Sequence, residues 1–249
     1  SGFYAYDGAG KKLALVPGFL ASFALAARRA AAGADLVHAH WIPSALAARA
    51  TGKPYVLQVW GTDVALARRV PALARPLVRG ARLVVAASGF LAEAARELGA
   101  REVVVVPTPI EIPAEAGRPD DPPHVLFAGR LSEEKGILEF LEATEGLPRV
   151  IVGDGPLRDR VPEAAGFVPH AELGAYYERA AVVCVPSLRE GYGMTAREAL
   201  AYGRPVVASD VGGLRDLGGG VVLAAPGAPR ALREVLAALL ESRERRASL

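Results

Sequence analysis

One pattern constrains this chain more than any other. Short apolar, β-favouring runs alternate with helical stretches along most of its length. The runs fall at Asp35–Ala39, Tyr55–Val59, Leu83–Ala86, Val103–Val106, His124–Ala128, Val150–Val152, Val182–Val185, Val206–Ala208 and Val221–Leu223. Each is apolar throughout instead of alternating, the pattern of strands covered on both faces. Helical stretches lie between them, among them Ser88–Leu98, Ile137–Thr144, Thr195–Tyr202 and Arg230–Ser242. Repeated β-α units predict parallel sheets flanked by helices.

The rhythm breaks once, at PTPIEIPAEAGRPDDPP, residues 107–123. Proline there supplies neither ladder donors nor helix. The segment reads as an interdomain linker over residues 109–123, between a domain at 1–108 and a second at 124–249. At 249 residues the chain can hold two small domains, each with its own core. Ligands of such folds bind outside the carboxyl ends of the strands.

Composition excludes several classes. The formal net charge is +2, so no global field points to nucleic acid. A single cysteine, Cys184, rules out an intramolecular disulfide and any multi-cysteine metal site, and points to a reducing compartment such as the cytoplasm. The chain has no asparagine and one glutamine, Gln58. That fits a thermophile, although a GC-rich genome gives the same bias. Lys11 and Lys12 precede an apolar stretch, Leu13–Ala27, in the order of a signal peptide. The stretch is shorter than the roughly 20 residues needed to cross a bilayer. It also holds Pro17 and Gly18, so a buried helix is the better reading.

Two stretches of the second half carry chemistry. Strand HVLFA runs into Gly129-Arg130-Leu131-Ser132-Glu133-Glu134-Lys135-Gly136. Gly129 at a strand end permits close approach of a ligand to the backbone. Arg130 and Lys135 put two cations near a helix start, where backbone N–H groups already favour an anion. Such a pair can clamp a diphosphate, Arg in a planar bidentate mode and Lys as a mobile point charge. Basic residues in such a loop are more often solvated surface, and the P-loop pattern is absent. The second stretch follows strand VVCV and reads PSLREGYGMTAREA, residues 186–199. Gly191 and Gly193 allow a tight loop, with a helix beginning near Thr195. Glu190 and Glu198 can then accept hydrogen bonds from vicinal hydroxyls of two different sugars. A capping or surface role is the alternative for each.

Taken together, these residues resemble the retaining glycosyltransferases of the GT-B fold, the group 1 or family 4 type. The matching stretches are GRLSEEKG at 129–136, VGDGPL at 152–157, GFVPHAEL at 166–173 and VPSLREGYGMTAREALAYGRPVVASDVGG at 185–213. The resemblance implies two Rossmann-like α/β domains, the first on the acceptor side and the second binding a UDP- or GDP-linked sugar. It implies that Arg130 and Lys135 hold the donor diphosphate and Glu190 the transferred hexose. Glu198 would bind the ribose, the Val168 backbone the base, and Gly193, Met194 and Thr195 phosphate and sugar. No D-x-D motif occurs, so transfer independent of metal and of any cofactor is expected.

The first half matches less sharply, through DLVHAHW at 35–41, QVWGTDV at 58–64 and VVAASGFLAEAARELGA at 84–100. Many relatives have histidine where this chain has Trp60. His40, Trp60 and Asp63 are the acceptor-side candidates, with Asp63 and His40 the candidate bases. The family's first strand and glycine-rich loop are not in this sequence, nor is its final helix. A truncated chain is therefore expected, one that could bind donor and yet be inactive. Arg68, Arg69, Arg75, Arg79 and Arg82 lie among alanines, leucines and prolines. They suit either a solvated face or peripheral contact with anionic lipid, which would fit a lipid-linked acceptor. Three rivals remain. Gly191-Tyr192-Gly193-Met194-Thr195-Ala196 fits a nicotinamide fingerprint, but five residues separate it from its strand. A non-catalytic nucleotide-binding scaffold of the same fold is the second. A sugar epimerase of that fold is the third, although the acid/base cluster it needs is not evident.

Overall fold

The computed structural model describes residues 16–249, and the chain divides into two compact units, Ser1–Pro107 and Thr108–Leu249. In the first unit, helix α1 (Val16–Ala30) precedes strand β1 (Val37–His40), helix α2 (Ala45–Ala50) and strand β2 (Tyr55–Val59). Helices α3 (Thr62–Arg69) and α4 (Pro71–Gly80) lead to β3 (Leu83–Ala86), α5 (Gly89–Glu97) and β4 (Val103–Val105). The four strands are parallel, in the order β1-β2-β3-β4, with His40 opposite Gln58 and Val59 opposite Ala86. Pro71 fits the first position of α4, where its missing N–H costs nothing. The Ser88 side chain caps α5 by accepting from the Leu91 amide at 3.2 Å.

Two expectations need correction here. The strands of this unit are not covered on both faces. Leu57, Val59, Val84 and Ala86 are buried, while their neighbours His38, His40, Val56, Gln58 and Val85 are not. Apolar sequence on β2 and β3 concealed that alternation. The stretch Leu13–Ala27 also falls partly outside the described residues, which begin at 16. The helix there is not buried among those described: Phe19, Phe23 and Leu25 are exposed. Only Leu20, Ala24 and Ala27 are half-buried, at the 4–3 spacing of one face. That helix packs on α2, which is too short and too rich in alanine to cover more of it.

The second unit contains β5 (Val125–Ala128), α6 (Ile137–Ala143), β6 (Arg149–Val152), α7 (His170–Arg179) and β7 (Val182–Val185). Then come α8 (Met194–Ala201), β8 (Val206–Ser209), β9 (Val221–Ala224), α9 (Pro229–Glu241) and α10 (Arg243–Ala247). Its parallel sheet has the order β6-β5-β7-β8-β9. Every residue of β5, β7 and β8 is buried, as the continuous apolar runs require. One core packs Phe127, Leu131, Ile137, Phe140, Leu232 and Leu236; the other packs Leu126, Tyr177, Val183, Ala196 and Leu214.

The proline-rich segment belongs with this second unit and packs on it. Arg204 donates to the Gly117 carbonyl at 2.6 Å, and Arg179 pairs with Asp120 at 3.0 Å. The Asp120 amide donates to the Arg179 carbonyl, and the Tyr192 hydroxyl to the Thr108 carbonyl at 2.8 Å.

Candidate active site

The second sheet reverses direction at β5. The chain leaves β5 for β6 on one side and then returns to add β7 on the other. Loops after β5 and β7 therefore diverge at their carboxyl ends and leave a crevice between them, the usual ligand position in such sheets. The first loop holds Gly129, Arg130 and Lys135; the second holds Glu190, Gly191 and Gly193. Separated by 55 positions in sequence, Lys135 Nζ and Glu190 Oε2 lie 2.6 Å apart. The Glu190 side chain is 14% exposed and that of Lys135 29%, so the pair is shielded but reachable. Ser187 Oγ lies 3.4 Å from the same carboxylate oxygen.

Close backbone contacts fix these loops. Gly136 has φ 71°, and a Cβ on it would lie 2.0 Å from the Pro186 carbonyl oxygen. The turn after Lys135 thus presses against the start of the second loop, where no other residue fits. Gly153, in the VGDGPL stretch, is equally close to the Gly129 carbonyl, and its amide donates to Gly166 at 2.9 Å. That bridge aligns the segment carrying Val168, which is half-buried against the second core. The Leu188 amide donates to the Glu134 carbonyl, and Gly213 to the Glu190 carbonyl.

Helix α8 opens from Gly193, at φ 84°, and Thr195 in its first turn lines the crevice. Thr195 Oγ1 donates to the Ala128 carbonyl at 3.0 Å, tying the helix to the end of β5. Met194 is 38% exposed. Glu198 accepts from the Tyr177 hydroxyl at 2.7 Å, and His170 Nδ1 is 3.8 Å from its other oxygen. Burial, then the Glu198 charge and hydrogen bond, push the Tyr177 hydroxyl well above its ordinary range, so it remains a donor. Glu198, His170, Tyr177, Met194 and Glu111 line a pocket of about 160 Å³. The structure thus gathers Gly129, Lys135, Glu190 and Thr195 around one crevice and puts Glu198 beside an adjoining pocket. Tyr177 and Ser187 went unrecognised in sequence, because nothing local marks a helix tyrosine as the partner of a glutamate 21 positions on.

In the first unit, His40 and Trp60 stack with ring centroids 6.0 Å apart. His38 lies 4.3 Å from His40, and partial burial, followed by the His40 charge, pulls its pKa below the usual value. Asp63 does not fit the role of a base. It is 1% exposed, and its two oxygens accept from the Ile42, Trp60 and Gly61 amides at 3.1, 3.0 and 2.9 Å. A carboxylate so occupied holds loops in place and has no face to offer a substrate. Trp41 went unnoticed in sequence. It has φ 81° and ψ 132°, a conformation that costs a non-glycine residue about 1–3 kcal/mol. Among the described residues, no group of three or more His, Cys, Asp or Glu side chains is placed to hold a metal ion. Likewise no described helix is long and apolar enough to cross a membrane.

Comparison with known proteins gives this architecture a family. Residues 122–242 match the family described as glycosyl transferases group 1, and residues 4–109 match the glycosyl transferase 4-like domain. A D-inositol 3-phosphate glycosyltransferase of Xylanimonas cellulosilytica is 32% identical over 94% of this chain and 71% of its own length. A glycogen synthase of Mycobacterium tuberculosis is 31% identical over 72% of this chain and 53% of its own length. The chain spans about half the length of several curated relatives it matches. Among solved structures, Anabaena HepE in complex with UDP-glucose has a TM-score of 0.76 at 20% identity, covering 90% of this chain and 74% of that one. These likenesses define the GT-B fold, with its two Rossmann-like units. The chain belongs to the group 1 glycosyl transferases.

Proposed function

We propose that this chain transfers a hexose from a UDP- or GDP-linked sugar to a glycan, lipid or small-molecule acceptor, with retention of configuration and without metal or cofactor. The observation carrying this reading is the Lys135–Glu190 pair at the sheet's reversal point, 2.6 Å long and only partly exposed. A cation and a carboxylate side by side suit the two halves of a nucleotide-sugar. Lys135 and Arg130 meet the diphosphate, and Glu190 accepts hydrogen bonds from hydroxyls of the sugar beyond it. The lysine has three donors, so it can hold a phosphate oxygen and Glu190 together. Glu198, steadied by Tyr177, takes the ribose hydroxyls; backbone at Val168 takes the base; Gly191, Gly193, Met194 and Thr195 line the approach to α8. As the diphosphate leaves, Lys135, Arg130 and the start of α8 offset the growing negative charge, and the fixed sugar presents one face to the acceptor. Anabaena HepE, which shares the fold, forms a complex with UDP-glucose, and this supports a nucleotide-sugar here.

Contact with anionic lipid is part of the same proposal. Leu66 on α3, Val70 between the two helices and Leu73 on α4 are exposed, Leu73 to 73%. Arg69, Arg75 and Arg79 beside them are exposed as well and form no ion pair among the described residues. Sedimentation with anionic vesicles that disappears in Leu73→Glu tests this contact. Thermal unfolding with UDP, GDP and NAD tests the main reading. A ligand that binds only the folded state raises the midpoint. A rise with UDP or GDP that vanishes in Lys135→Ala supports a donor site and identifies the base; a rise with NAD alone sinks the proposal. Nucleotide binding without release of free UDP or GDP from any nucleotide-sugar would favour the non-catalytic scaffold.

A further inference from the structure

The proline-rich segment after Pro107 is held at both ends. The Tyr192 hydroxyl donates to the Thr108 carbonyl near its start, while Arg204 and Arg179 grip Gly117 and Asp120 further on. Between those anchors lie Pro109, Ile110 and Glu111, and all three line the pocket of about 160 Å³ that also holds Glu198. Every residue lining that pocket belongs to the second unit. Helix α7, helix α8 and Tyr202 just beyond it supply the rest of the wall, with Tyr177 stacked on Tyr202 at a centroid separation of 5.5 Å. Burial raises the Tyr202 hydroxyl pKa, and the charges of Glu178, Glu111 and Glu198 raise it further, so Glu111 and Glu198 act on one small volume. Glu111 itself is exposed, and its side chain forms no hydrogen bond or ion pair among the described residues. The fold thus anchors a backbone whose carboxylate it does not use.

Glu198 enters the pocket already engaged on one side. Its Oε2 accepts from the Tyr177 hydroxyl at 2.7 Å, while its Oε1 has His170 Nδ1 at 3.8 Å, beyond hydrogen-bond reach. A ribose presents two neighbouring hydroxyls, each a donor, and an unengaged carboxylate takes one on each oxygen. Glu198 has one oxygen open for that task. The second hydroxyl then needs another acceptor in the same pocket, and Glu111 offers a carboxylate with no partner of its own. We propose that Glu111 is a donor-binding residue, which accepts the ribose hydroxyl that Glu198 leaves over. The inference rests on the transferase reading and divides the ribose hydroxyls, there given to Glu198, between two carboxylates. The segment between the two units then supplies part of the nucleotide site, and the site requires a donor with both ribose hydroxyls intact.

Calorimetric titration with UDP, GDP and their 2′-deoxy and 3′-deoxy forms tests this. For whichever ribonucleotide binds, each deoxy form is expected to bind the parent chain on the order of tenfold more weakly, the effect of one hydrogen bond to a charged group. Glu111→Ala should weaken the ribonucleotide by a similar factor and erase the penalty for one deoxy form while keeping it for the other. Glu111→Gln retains a carbonyl acceptor and should recover most of that affinity. Neither variant should shift the unfolding midpoint of the unliganded chain, because Glu111 has no partner to lose. Charge alone predicts the opposite sign: removing a carboxylate near a diphosphate tightens binding, equally in both variants. Tighter or unchanged binding in Glu111→Ala, or an equal loss for the ribonucleotide and both deoxy forms, overturns the role of Glu111 while the nucleotide site stands. If neither UDP nor GDP binds the parent chain, the transferase reading falls and this inference falls with it.

Discussion

Replacing Asp63 with alanine removes one acceptor from three backbone donors. The Ile42 amide belongs to a residue that is 3% exposed, so it has no route to water once the carboxylate is gone. The amides of Trp60 and Gly61 belong to partly exposed residues and can turn to solvent. A hydrogen bond to a charged group is worth about 1.5–3 kcal/mol, and a solvated replacement recovers most of that. One full loss of about 2 kcal/mol and two residual losses of about 0.5 kcal/mol each give about 3 kcal/mol. Asp63→Asn keeps an acceptor for Trp60 and Gly61 and presents N–H to the Ile42 amide, so about half that loss is expected. Urea unfolding followed by tryptophan emission is the assay, because both indoles lie in the first unit and report it alone. A loss below about 1 kcal/mol in Asp63→Ala would refute the claim that this carboxylate organises the two loops.

Three further outcomes are expected. Gly136→Ala meets both a positive φ and the Pro186 carbonyl, so it should cost more than about 2 kcal/mol and abolish the UDP- or GDP-induced rise in melting temperature. Lys135→Ala removes one member of a partly exposed ion pair; calorimetry should show under about 1 kcal/mol of lost stability and no nucleotide-induced rise. Burial, reinforced by Arg179 and opposed by Asp120, holds the His124 pKa below its ordinary 6.5. The unfolded chain then binds a proton that the folded chain refuses. Stability from this group is complete above pH 6.5 and declines as pH falls toward the folded value, and His124→Gln should flatten that part of the melting-temperature profile.

The centre of the second unit was legible because β5, β7 and β8 are buried on both faces. Val182–Val185 begins and ends where its apolar run does, and helix α8 starts one residue before Thr195; in the first unit Tyr55–Val59 and Leu83–Ala86 also match their runs, although one face of each is more open. The pairing of Lys135 with Glu190 was not legible, since 55 positions separate them; the resemblance implied only that one serves the donor diphosphate and the other its sugar. Features set by tertiary neighbours escaped: the Tyr177–Glu198 bond, the positive φ of Trp41 and the three amides converging on Asp63. Hydrophobicity misled at α1, where Phe19 and Phe23 stack on each other in the open instead of entering a core.

The residues from Thr108 to Pro123 have a practical meaning for recombining parts of this family. They read as a joint, yet Arg179, Tyr192 and Arg204 hold them to the half that follows. A chimera cut at residue 123 would keep those three anchors and give away the backbone they grip, while a cut between Pro107 and Thr108 would carry strap and anchors together. Shuffled second units from this chain should therefore begin well before their first strand, Val125–Ala128. A library built on the sheet boundary alone would lose soluble members for reasons unrelated to catalysis.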